Sequence, residues 1–472
     1  MTLLKKIPFF LILLVLFFCL HGWLENFGFI SFKEVLSPGV FIFLGIALFT
    51  AVVFLFTKDL LFASLIVFFI SLWYLFFGAL HDWVRNIPLL SFIKSYTAML
   101  LTLLLFTGAW VIFLRKKKTL HPKLALYLNI LLLIYCLVDV FSFVKAQTTR
   151  STVPVVDGIK FDTTRVTQKP DVYLLLFDEY PGFASLKDSF NFANDSLRNY
   201  FTIRSFKILP VFSNYDLTYF SMSSMLNMQY LKKDFNNLQL TQRDFQRRGV
   251  EINHASLFPI FRSMGYNIRN FSIFDIDEQQ AVSVENSFLL ANSILLTDKI
   301  LHNRLNRDLG DRLCKMIPFW KNSDFYQHDI DNKLSEKLLL NAAVEKKSEP
   351  QFVYTHFMMP HGPYYFDSLG NKNPFEKISH YTMWKDKPLF VAYLKYINKR
   401  MINMVNTLIT HKPNAIIIVM GDHGYRSFNN ENIYQAPRYD NLCAVRFPDN
   451  KHQQFKERWS MVNLFRYVFN CE

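Results

Sequence analysis

The chain has 472 residues, too many for one ordinary domain, and 51% of them are hydrophobic. Its formal net charge is +14, but the polar part contains no basic stripe interleaved with aromatic residues, so we expect no nucleic-acid partner. Apolar residues dominate before Val144, whereas the sequence after Gln147 reads as a water-soluble globular chain. The composition therefore indicates two different parts joined in one polypeptide.

Five apolar runs fill the first part of the chain. Each is long enough, or nearly so, to cross roughly 30 Å of hydrocarbon as a helix. They lie at Ile7–Trp23, Gly39–Thr57, Leu60–Leu80, Tyr96–Leu114 and Leu124–Phe143. The first run could instead be a cleaved signal peptide, but no small-residue cleavage site follows it and four more runs come after. We therefore predict a five-helix transmembrane anchor over residues 1–145.

Positive charges set the expected orientation of this anchor. Lys5 and Lys6 precede the first helix, and the RKKK run at Arg115–Lys118 lies between the fourth and fifth helices. Five crossings place both sites on one side of the membrane, which the positive-inside rule makes cytoplasmic. We therefore expect a multi-pass protein of the plasma (inner) membrane, with a cytoplasmic N-terminus and everything after Lys145 outside the cytoplasm.

Short apolar runs alternate with helical patterns after a Thr-rich linker at residues 146–170. The stretch His254–Phe274 reads as a helix, a glycine stop at Gly265 and a strand, and helices are predicted at Val391–Ile409 and Arg458–Asn470. Runs typical of buried strands lie at Asp171–Phe177, Gln351–Phe357, Asn414–Met420 and Asn441–Phe447. This alternation indicates an α/β domain with a mostly parallel sheet over residues 171–472.

The cysteines outside the predicted helices do not form a recognisable framework. Cys314, Cys443 and Cys471 are an odd number and have no motif spacing. This excludes a disulfide scaffold and a CxxC metal site, although one pair could still form outside the cell.

Acids and histidines stand at the ends of three predicted strands, where function collects in parallel sheets. Any one of them alone could be a helix cap, a tight turn or a satisfied loop residue. At one sheet edge, however, the like charges would repel without a cation between them. Carboxylates and imidazoles are common ligands of divalent cations. The residues concerned are Asp178, Glu179, His356, His361, Asp422 and His423.

The segment Ser213–Asn227 adds candidate nucleophiles. A hydroxyl beside a divalent cation loses its proton more readily and can attack an ester. Spacing alone does not choose among the four hydroxyls, and Ser-rich segments are also common helix starts. The four are Thr218, Ser221, Ser223 and Ser224.

The order of these features resembles the alkaline-phosphatase superfamily, in its sulfatase-like branch. An acidic strand end, a hydroxyl segment, an H-x4-H-G-P-Y loop beginning at His356 and an Asp-His-Gly at Asp422 follow one another along the chain. Within that branch, the layout is most similar to lipoteichoic acid synthases and lipid A phosphoethanolamine transferases. The resemblance implies a five-helix anchor followed by an extracytoplasmic alkaline-phosphatase/sulfatase-like catalytic domain.

The resemblance also implies a role for each candidate residue. Thr218 matches the nucleophile of a T-x-x-S-x-P-x-M pattern, in which Ser223 stands here at the proline. The implied metal ligands are Glu179, Asp178, Asp422 and His423. His361 matches a catalytic histidine that contacts the transferred group, and His356 would assist in binding substrate. Tyr425 and Arg426 depart from the acid often found after Asp-His-Gly; the Arg426 guanidinium suits a phosphate or sulfate, or a surface acid.

The resemblance implies one divalent metal ion, with Mn²⁺ or Zn²⁺ favoured by the histidine and Mg²⁺ or Ca²⁺ also tolerated. The C/S-x-P-x-R sequence of formylglycine sulfatases is missing near Thr218. The implied activity is therefore a phosphotransferase that moves a phospho-headgroup from a bilayer lipid to an envelope glycan or lipid through a phospho-threonine. Two alternatives remain: a phosphoric or sulfuric ester hydrolase with the same site, and a non-enzymatic membrane module.

Overall fold

The structure is a computed structural model of the chain. It describes residues 2–26, 32–148, 169–231, 240, 242–277, 279–282, 294–306, 309, 326–378, 386–426, 436–449 and 459–469. The chain forms two compact units, one of residues 1–151 with 285–322 and the other of residues 152–284 with 323–472. Nearly all of the predicted linker at 146–170 lies outside the described residues, and its bounds stay a prediction.

Five apolar helices build the first unit; four of them contain a whole predicted run, and the first helix begins three residues inside the first run. They are α1 (Phe10–Glu25), α2 (Phe32–Thr57), α3 (Leu60–Arg85), α4 (Tyr96–Lys116) and α5 (His121–Thr148), with a short helix at Thr2–Lys6 and 3-10 turns at Pro88–Ile93 and Lys118–Leu120. Among the described residues, four helices, α2 to α5, are long and apolar enough to cross a membrane. The 16-residue helix α1 is shorter and packs against α2, α3 and α5.

Side-chain caps fix where two of these helices begin. The Asp59 carboxylate accepts a hydrogen bond from the Phe62 amide at 3.0 Å, and the Ser95 hydroxyl accepts one from the Ala98 amide at 3.2 Å. Each cap satisfies a backbone N–H that the helix itself leaves without a partner. The starts of α3 and α4 are therefore each marked by a single polar residue.

A segment from much later in the sequence, residues 294–306, packs in this first unit, and we call it the docked segment. Its side chains Leu296 and Ile300 are buried in the core of the helices. Helix α3 approaches it closely, because the Gly78 amide donates to the Lys299 carbonyl oxygen at 2.7 Å. A Cβ at Gly78 would lie 2.8 Å from the Lys299 Cα, so only glycine permits this contact.

A six-stranded sheet forms the centre of the second unit, in the spatial order β2-β7-β6-β1-β5-β4. The strands are β1 (Val172–Phe177), β2 (Lys207–Ile208), β3 (Val211–Phe212), β4 (Asn267–Phe271), β5 (Gln351–Phe357), β6 (Ile416–Gly421), β7 (Cys443–Arg446) and β8 (Trp459–Ser460). Strands β6, β1, β5 and β4 run parallel, and β7 is antiparallel to β6 and β2. The mostly parallel sheet is confirmed, and β3 pairs with β8 in a separate ladder.

Helices cover both faces of this sheet. The longer ones are α6 (Phe183–Phe190), α7 (Asp195–Ile203), α8 (Thr218–Leu226), α9 (Gln242–Asn253), α10 (Leu257–Ser263), α11 (Gln327–Val344) and α12 (Lys387–His411). Shorter ones lie at Phe375–Ile378, Ala436–Tyr439, Met461–Asn463 and Leu464–Val468, whereas the short helix Ile294–Thr297 belongs to the docked segment of the first unit. The predicted closing helix at Arg458–Asn470 is shorter than expected, because its start pairs as β8 and the Ser460 hydroxyl accepts from the Val462 amide at 3.2 Å.

Strand β1 is buried on both faces, which explains its continuous apolar sequence. Tyr173, Leu175 and Phe177 pack in the core that includes α11 and α12. Leu174 and Leu176 pack on the opposite face, in the core that includes α8 and α10. Because side chains alternate along a strand, this pattern also decides which face each strand-end residue takes.

Cys443 is the described cysteine among the three considered for a disulfide. It is buried in β7 with a free thiol, and burial raises the pKa of that thiol to about 12. It is therefore a core residue, and Cys314 and Cys471 lie outside the described residues.

Candidate active site

Three parallel strands end at the same level of the sheet. Phe177, the last residue of β1, pairs with Phe357 of β5 and with Gly421 of β6. Asp178 and Asp422 are the residues that directly follow β1 and β6. The acids predicted at two separate strand ends therefore start from neighbouring points on one edge.

Asp178, His356 and Asp422 form a buried cluster at this edge. Because side chains alternate along a strand, Asp178 lies on the same face of the sheet as Leu176, and His356 lies on the same face as Tyr354. Leu176 and Tyr354 both belong to the face that α8 covers. One oxygen or nitrogen atom from each of the three side chains lies within 4.8 Å of the other two. All three residues are at most 1% exposed.

His423 completes this cluster from the residue after Asp422. Its Nε2 atom lies 3.3 Å from Asp422 Oδ2 and 3.7 Å from Asp178 Oδ1. Its Nδ1 atom donates to the Gly424 carbonyl oxygen at 2.7 Å, which leaves the Nε2 lone pair directed at the carboxylates. The ring therefore has the tautomer that a metal ligand requires.

Thr218, the first residue of α8, is the hydroxyl that reaches the cluster. Its Oγ1 atom lies 3.3 Å from His423 Nε2, and its proximity to the Asp178 carboxylate partly offsets the rise in the pKa of that group. The other three hydroxyls of the segment donate elsewhere: Ser221 to the Asp422 carbonyl oxygen at 2.5 Å, Ser223 to Glu251 Oε2 at 2.6 Å, and Ser224 to the Gln229 carbonyl oxygen at 2.7 Å. The structure thus distinguishes Thr218 from the three serines, which the spacing along the sequence did not.

Glu179 leaves β1 in a different direction from Asp178. Its backbone φ is 62°, a left-handed value that is uncommon for a residue other than glycine. The Glu179 amide donates to Asp422 Oδ1 at 2.9 Å, and its own Oε1 accepts from the Arg426 amide at 2.7 Å. Its Oε2 lies 3.9 Å from His361 Nε2. Glu179, His361 and Arg426 thus form a second group beside the first.

The donor atoms of the site fit a divalent cation. Buried polar atoms in proteins nearly always have hydrogen-bond partners, and two buried carboxylates cost several kcal/mol without a compensating charge. A cation between them would satisfy both requirements. The buried atoms without a hydrogen-bond partner in the described part of this site are Asp178 Oδ1, Glu179 Oε2, His356 Nε2 and Asp422 Oδ2.

The electrostatics of the cluster agree with this donor set. Burial, reinforced by the Asp422 charge, raises the pKa of Asp178 well above its usual range. Burial lowers the pKa of His356 to about 4, and burial together with Arg426 lowers that of His423 to about 3. Both imidazoles are therefore neutral near pH 7 and keep a lone pair for a ligand.

The glycines around Asp422 and His423 bring two loops into backbone contact. A Cβ at Gly421 would collide with the Tyr180 carbonyl oxygen, and one at Gly424 would lie 2.6 Å from the Asp440 carbonyl oxygen. The glycine of the Asp-His-Gly motif is thus explained by this close approach.

Two site residues were missed by the sequence analysis, and one was interpreted differently. Tyr354 Oη lies 3.0 Å from His356 Nδ1, and its position two residues before His356 on a strand was a usable signal. His328 of α11 lies near His361; burial and His361 lower its pKa to about 4, but no spacing pattern marks it. Tyr425 packs in the core, with Oη 3.2 Å from Tyr364 Oη, and does not share the setting of Arg426.

Ser223 anchors α8 at the position where the resembling pattern has proline. Its acceptor, Glu251, also forms an ion pair with Arg248, and both serine and glutamate are buried. We expect Ser223→Ala to cost about 1.5–3 kcal/mol of folding free energy, typical of a hydrogen bond to a charged group, measured as a lower thermal midpoint of the full chain. Ser224→Ala is the matched control and should cost about 1 kcal/mol, because its acceptor is a neutral carbonyl. A larger loss in the control would contradict this role.

Comparison with known proteins gives a family match. The Sulfatase family model matches residues 205–467, more than half of the chain. No curated protein matches the sequence. Solved structures are similar to this chain only at low identity and low TM-score.

Three solved structures illustrate this similarity. The C-terminal periplasmic domain of EptC from Escherichia coli, in complex with Zn, is 10% identical with a TM-score of 0.40, over 65% of this chain and 82% of that one. The lipooligosaccharide phosphoethanolamine transferase EptA from Neisseria meningitidis is 11% identical with a TM-score of 0.40, over 99% and 94%. The phosphonate monoester hydrolase of Agrobacterium radiobacter is 13% identical with a TM-score of 0.37, over 64% and 73%.

Proposed function

We propose that this chain, which belongs to the sulfatase family, is a membrane-anchored, metal-dependent phosphotransferase with a threonine nucleophile. As a family member it is an enzyme that acts on phosphate or sulfate esters. The proposed substrates are a lipid that donates its phospho-headgroup and a cell-envelope glycan or lipid that accepts it. The observation that carries the proposal is Thr218, whose hydroxyl alone among four is directed at the buried acid–histidine cluster.

The proposed metal ligands are Asp178, Asp422 and His423, with Glu179 as the further acid implied by the family pattern. Their support is the set of buried oxygen and nitrogen atoms without hydrogen-bond partners, together with the neutral His423 ring. His356 shares the cluster with the two aspartates and is a further candidate ligand. A bound Mn²⁺ or Zn²⁺ would lower the pKa of a neighbouring hydroxyl and offset negative charge on the phosphoryl oxygens.

The proposed reaction proceeds in two displacements. Thr218 Oγ1 attacks the phosphorus of the donor phosphodiester, and its proton passes to water. The bond from phosphorus to the leaving alcohol breaks, and that oxygen takes up a proton from water. A hydroxyl of the acceptor then attacks the phosphorus of the phospho-threonine, and the bond from phosphorus to Thr218 Oγ1 breaks. The acceptor hydroxyl gives its proton to water, and Thr218 Oγ1 takes up a proton from water.

His361 and Arg426 of the second group are proposed to hold the transferred phosphoryl group. His361 donates from Nδ1 to the Gly362 carbonyl oxygen at 2.9 Å, so its Nε2 faces Glu179 and the space beside it. The Arg426 side chain is partly exposed next to Glu179, and a guanidinium can bond two phosphate oxygens at once. These side chains are suited to orient a charged ester against Thr218.

A lipid donor is proposed because of the apolar helices in the first unit. A catalytic unit tied to a bilayer meets lipid headgroups at a higher effective concentration than an untethered enzyme does. The charge pattern of Lys5, Lys6 and Arg115–Lys118 supports a cytoplasmic N-terminus and an extracytoplasmic catalytic unit in the plasma membrane.

The proposed ester class is tested with three chromogenic probes on the purified full chain supplied with Mn²⁺ or Zn²⁺. We expect kcat/KM for bis(p-nitrophenyl) phosphate to exceed that for p-nitrophenyl sulfate by at least about 100-fold, with p-nitrophenyl phosphate as the monoester control. A preference for the sulfate ester would overturn the transferase assignment. It would favour the ester hydrolase instead, a second candidate that is compatible with the Sulfatase family match.

A further inference from the structure

The first unit contains a cavity of about 420 Å³ between helices α2 and α3 and the docked segment. Such a volume is in the usual range of small-molecule sites in proteins. We propose that this cavity binds one acyl chain of a phospholipid and that Thr297, His302 and Asn303 meet its polar headgroup. The site is separate from the acid–histidine cluster and does not depend on the proposed phosphoryl transfer.

The walls of the cavity are predominantly apolar and come from helices that are apolar enough to span a membrane. Along α2 the lining extends from Pro38 to Phe49, which is about 16.5 Å at 1.5 Å per residue. Phe41 and Phe49 are each more than a third exposed, so the cavity opens on the outer surface of the helices. In a bilayer that surface faces hydrocarbon, and an acyl chain is the apolar occupant present there.

One end of the cavity is polar and is held in place by specific contacts. Tyr74 Oη lies 2.6 Å from His302 Nδ1, and the two rings are stacked with centroids 5.7 Å apart. Asn303 Nδ2 donates to the Thr297 carbonyl oxygen at 3.0 Å. Burial lowers the pKa of His302, so its neutral ring can donate from Nε2 while Nδ1 accepts from Tyr74.

The polar end lies where the helices carry their charged residues. Asp82 of α3 forms an ion pair with Arg304, and Glu25 of α1 lies 3.7 Å from Lys299. Charges of this kind belong at the membrane–water boundary, whereas the apolar walls extend away from it. A phospholipid has the same distribution, with a charged headgroup above apolar chains, and a purely apolar ligand does not.

Two glycines provide a matched pair of variants. Gly45 lines the cavity, and a Cβ there would have no heavy atom within 4 Å. Gly108 of α4 also has no heavy atom within 4 Å of a Cβ, but it does not line the cavity. A large side chain at Gly45 therefore fills the proposed site, and the same side chain at Gly108 places equal bulk on another apolar helix.

The full chain is reconstituted in phosphatidylethanolamine and phosphatidylglycerol bilayers that contain a trace of phospholipid with a diazirine on one acyl chain. After irradiation, mass spectrometry maps the labelled peptides. We expect label to concentrate on the α2 and α3 peptides that line the cavity, and Gly45→Trp to reduce it there by about tenfold, equivalent to 1.4 kcal/mol. Gly108→Trp should leave that labelling unchanged.

Three results would overturn the proposal. These are label spread evenly over all apolar helices, cavity labelling that Gly45→Trp does not reduce, and cross-links from the cavity to a second copy of the chain. Thermal unfolding of each variant checks that it folds. If Gly45→Trp does not fold, Ser71→Leu fills the same cavity from α3 and should give the same loss.

Discussion

Replacing Thr218 with alanine is expected to reduce kcat/KM for bis(p-nitrophenyl) phosphate by at least about 10³-fold, as for other enzymes that lose their nucleophile. The metal content of the purified protein, measured by elemental analysis, should be unchanged, because the carboxylates and imidazoles remain. The physical reason is that the substitution removes the attacking oxygen and leaves the acid–histidine cluster intact. Intact-protein mass spectrometry of the wild type after rapid quenching should also detect a phosphoryl adduct that the variant lacks.

Ser224→Ala is the control for this experiment, because it removes a hydroxyl two turns further along α8 that bonds only to a backbone carbonyl. Its activity should stay within a few-fold of the wild type. Thr218→Ser keeps a hydroxyl at the site and should recover part of the lost rate. Full activity in Thr218→Ala would disprove the nucleophile assignment, and another hydroxyl or a water molecule would then have to attack.

Asp178→Asn should remove most of the bound metal and with it the activity. Asn keeps the shape of the side chain but loses the negative charge that a cation requires. The substitution should raise the thermal stability of the metal-free protein and lower that of the metal-bound protein. With a chelator present, the variant should unfold at a higher temperature than the wild type, because one of two buried like charges is gone. With metal in excess, the wild type should be the more stable of the two.

Asp171→Asn is the matched control at the opposite end of β1. Asp171 accepts from the Gln351 amide at 2.8 Å and pairs with Lys412 at 3.1 Å, far along the strand from the cluster. Metal content should stay at the wild-type level in this variant. Equal metal content in the Asp178 and Asp171 variants would show that the cluster does not hold the ion.

The strands that carry the cluster were predictable because their sequences leave little choice. Gln351–Phe357 is predominantly apolar, and its observed bounds equal the predicted ones. Val172–Phe177 differs from its prediction by one residue. Buried central strands give a continuous apolar run, and the polar residue that ends such a run also marks the sheet edge.

Other features depend on contacts that a sequence pattern does not contain. The direction of Glu179 follows from a left-handed backbone in a residue type that seldom adopts it. The choice of Thr218 required knowing that α8 begins at this residue, since the sequence alone does not show which of the four hydroxyls faces the cluster. The position of the docked segment depends on Gly78, more than 200 residues earlier in the chain.

The docked segment changes what it would take to separate the catalytic part from the membrane. Along the sequence, the chain passes between the two units three times, after residues 151, 284 and 322. A protease that cuts only within 149–168 would leave two covalent connections, so the enzyme would stay attached. A shortened chain that starts at residue 171 would carry Leu296 and Ile300 without the helices that bury them, which favours aggregation. A soluble catalytic fragment therefore has to lose residues 285–322 as well as the anchor.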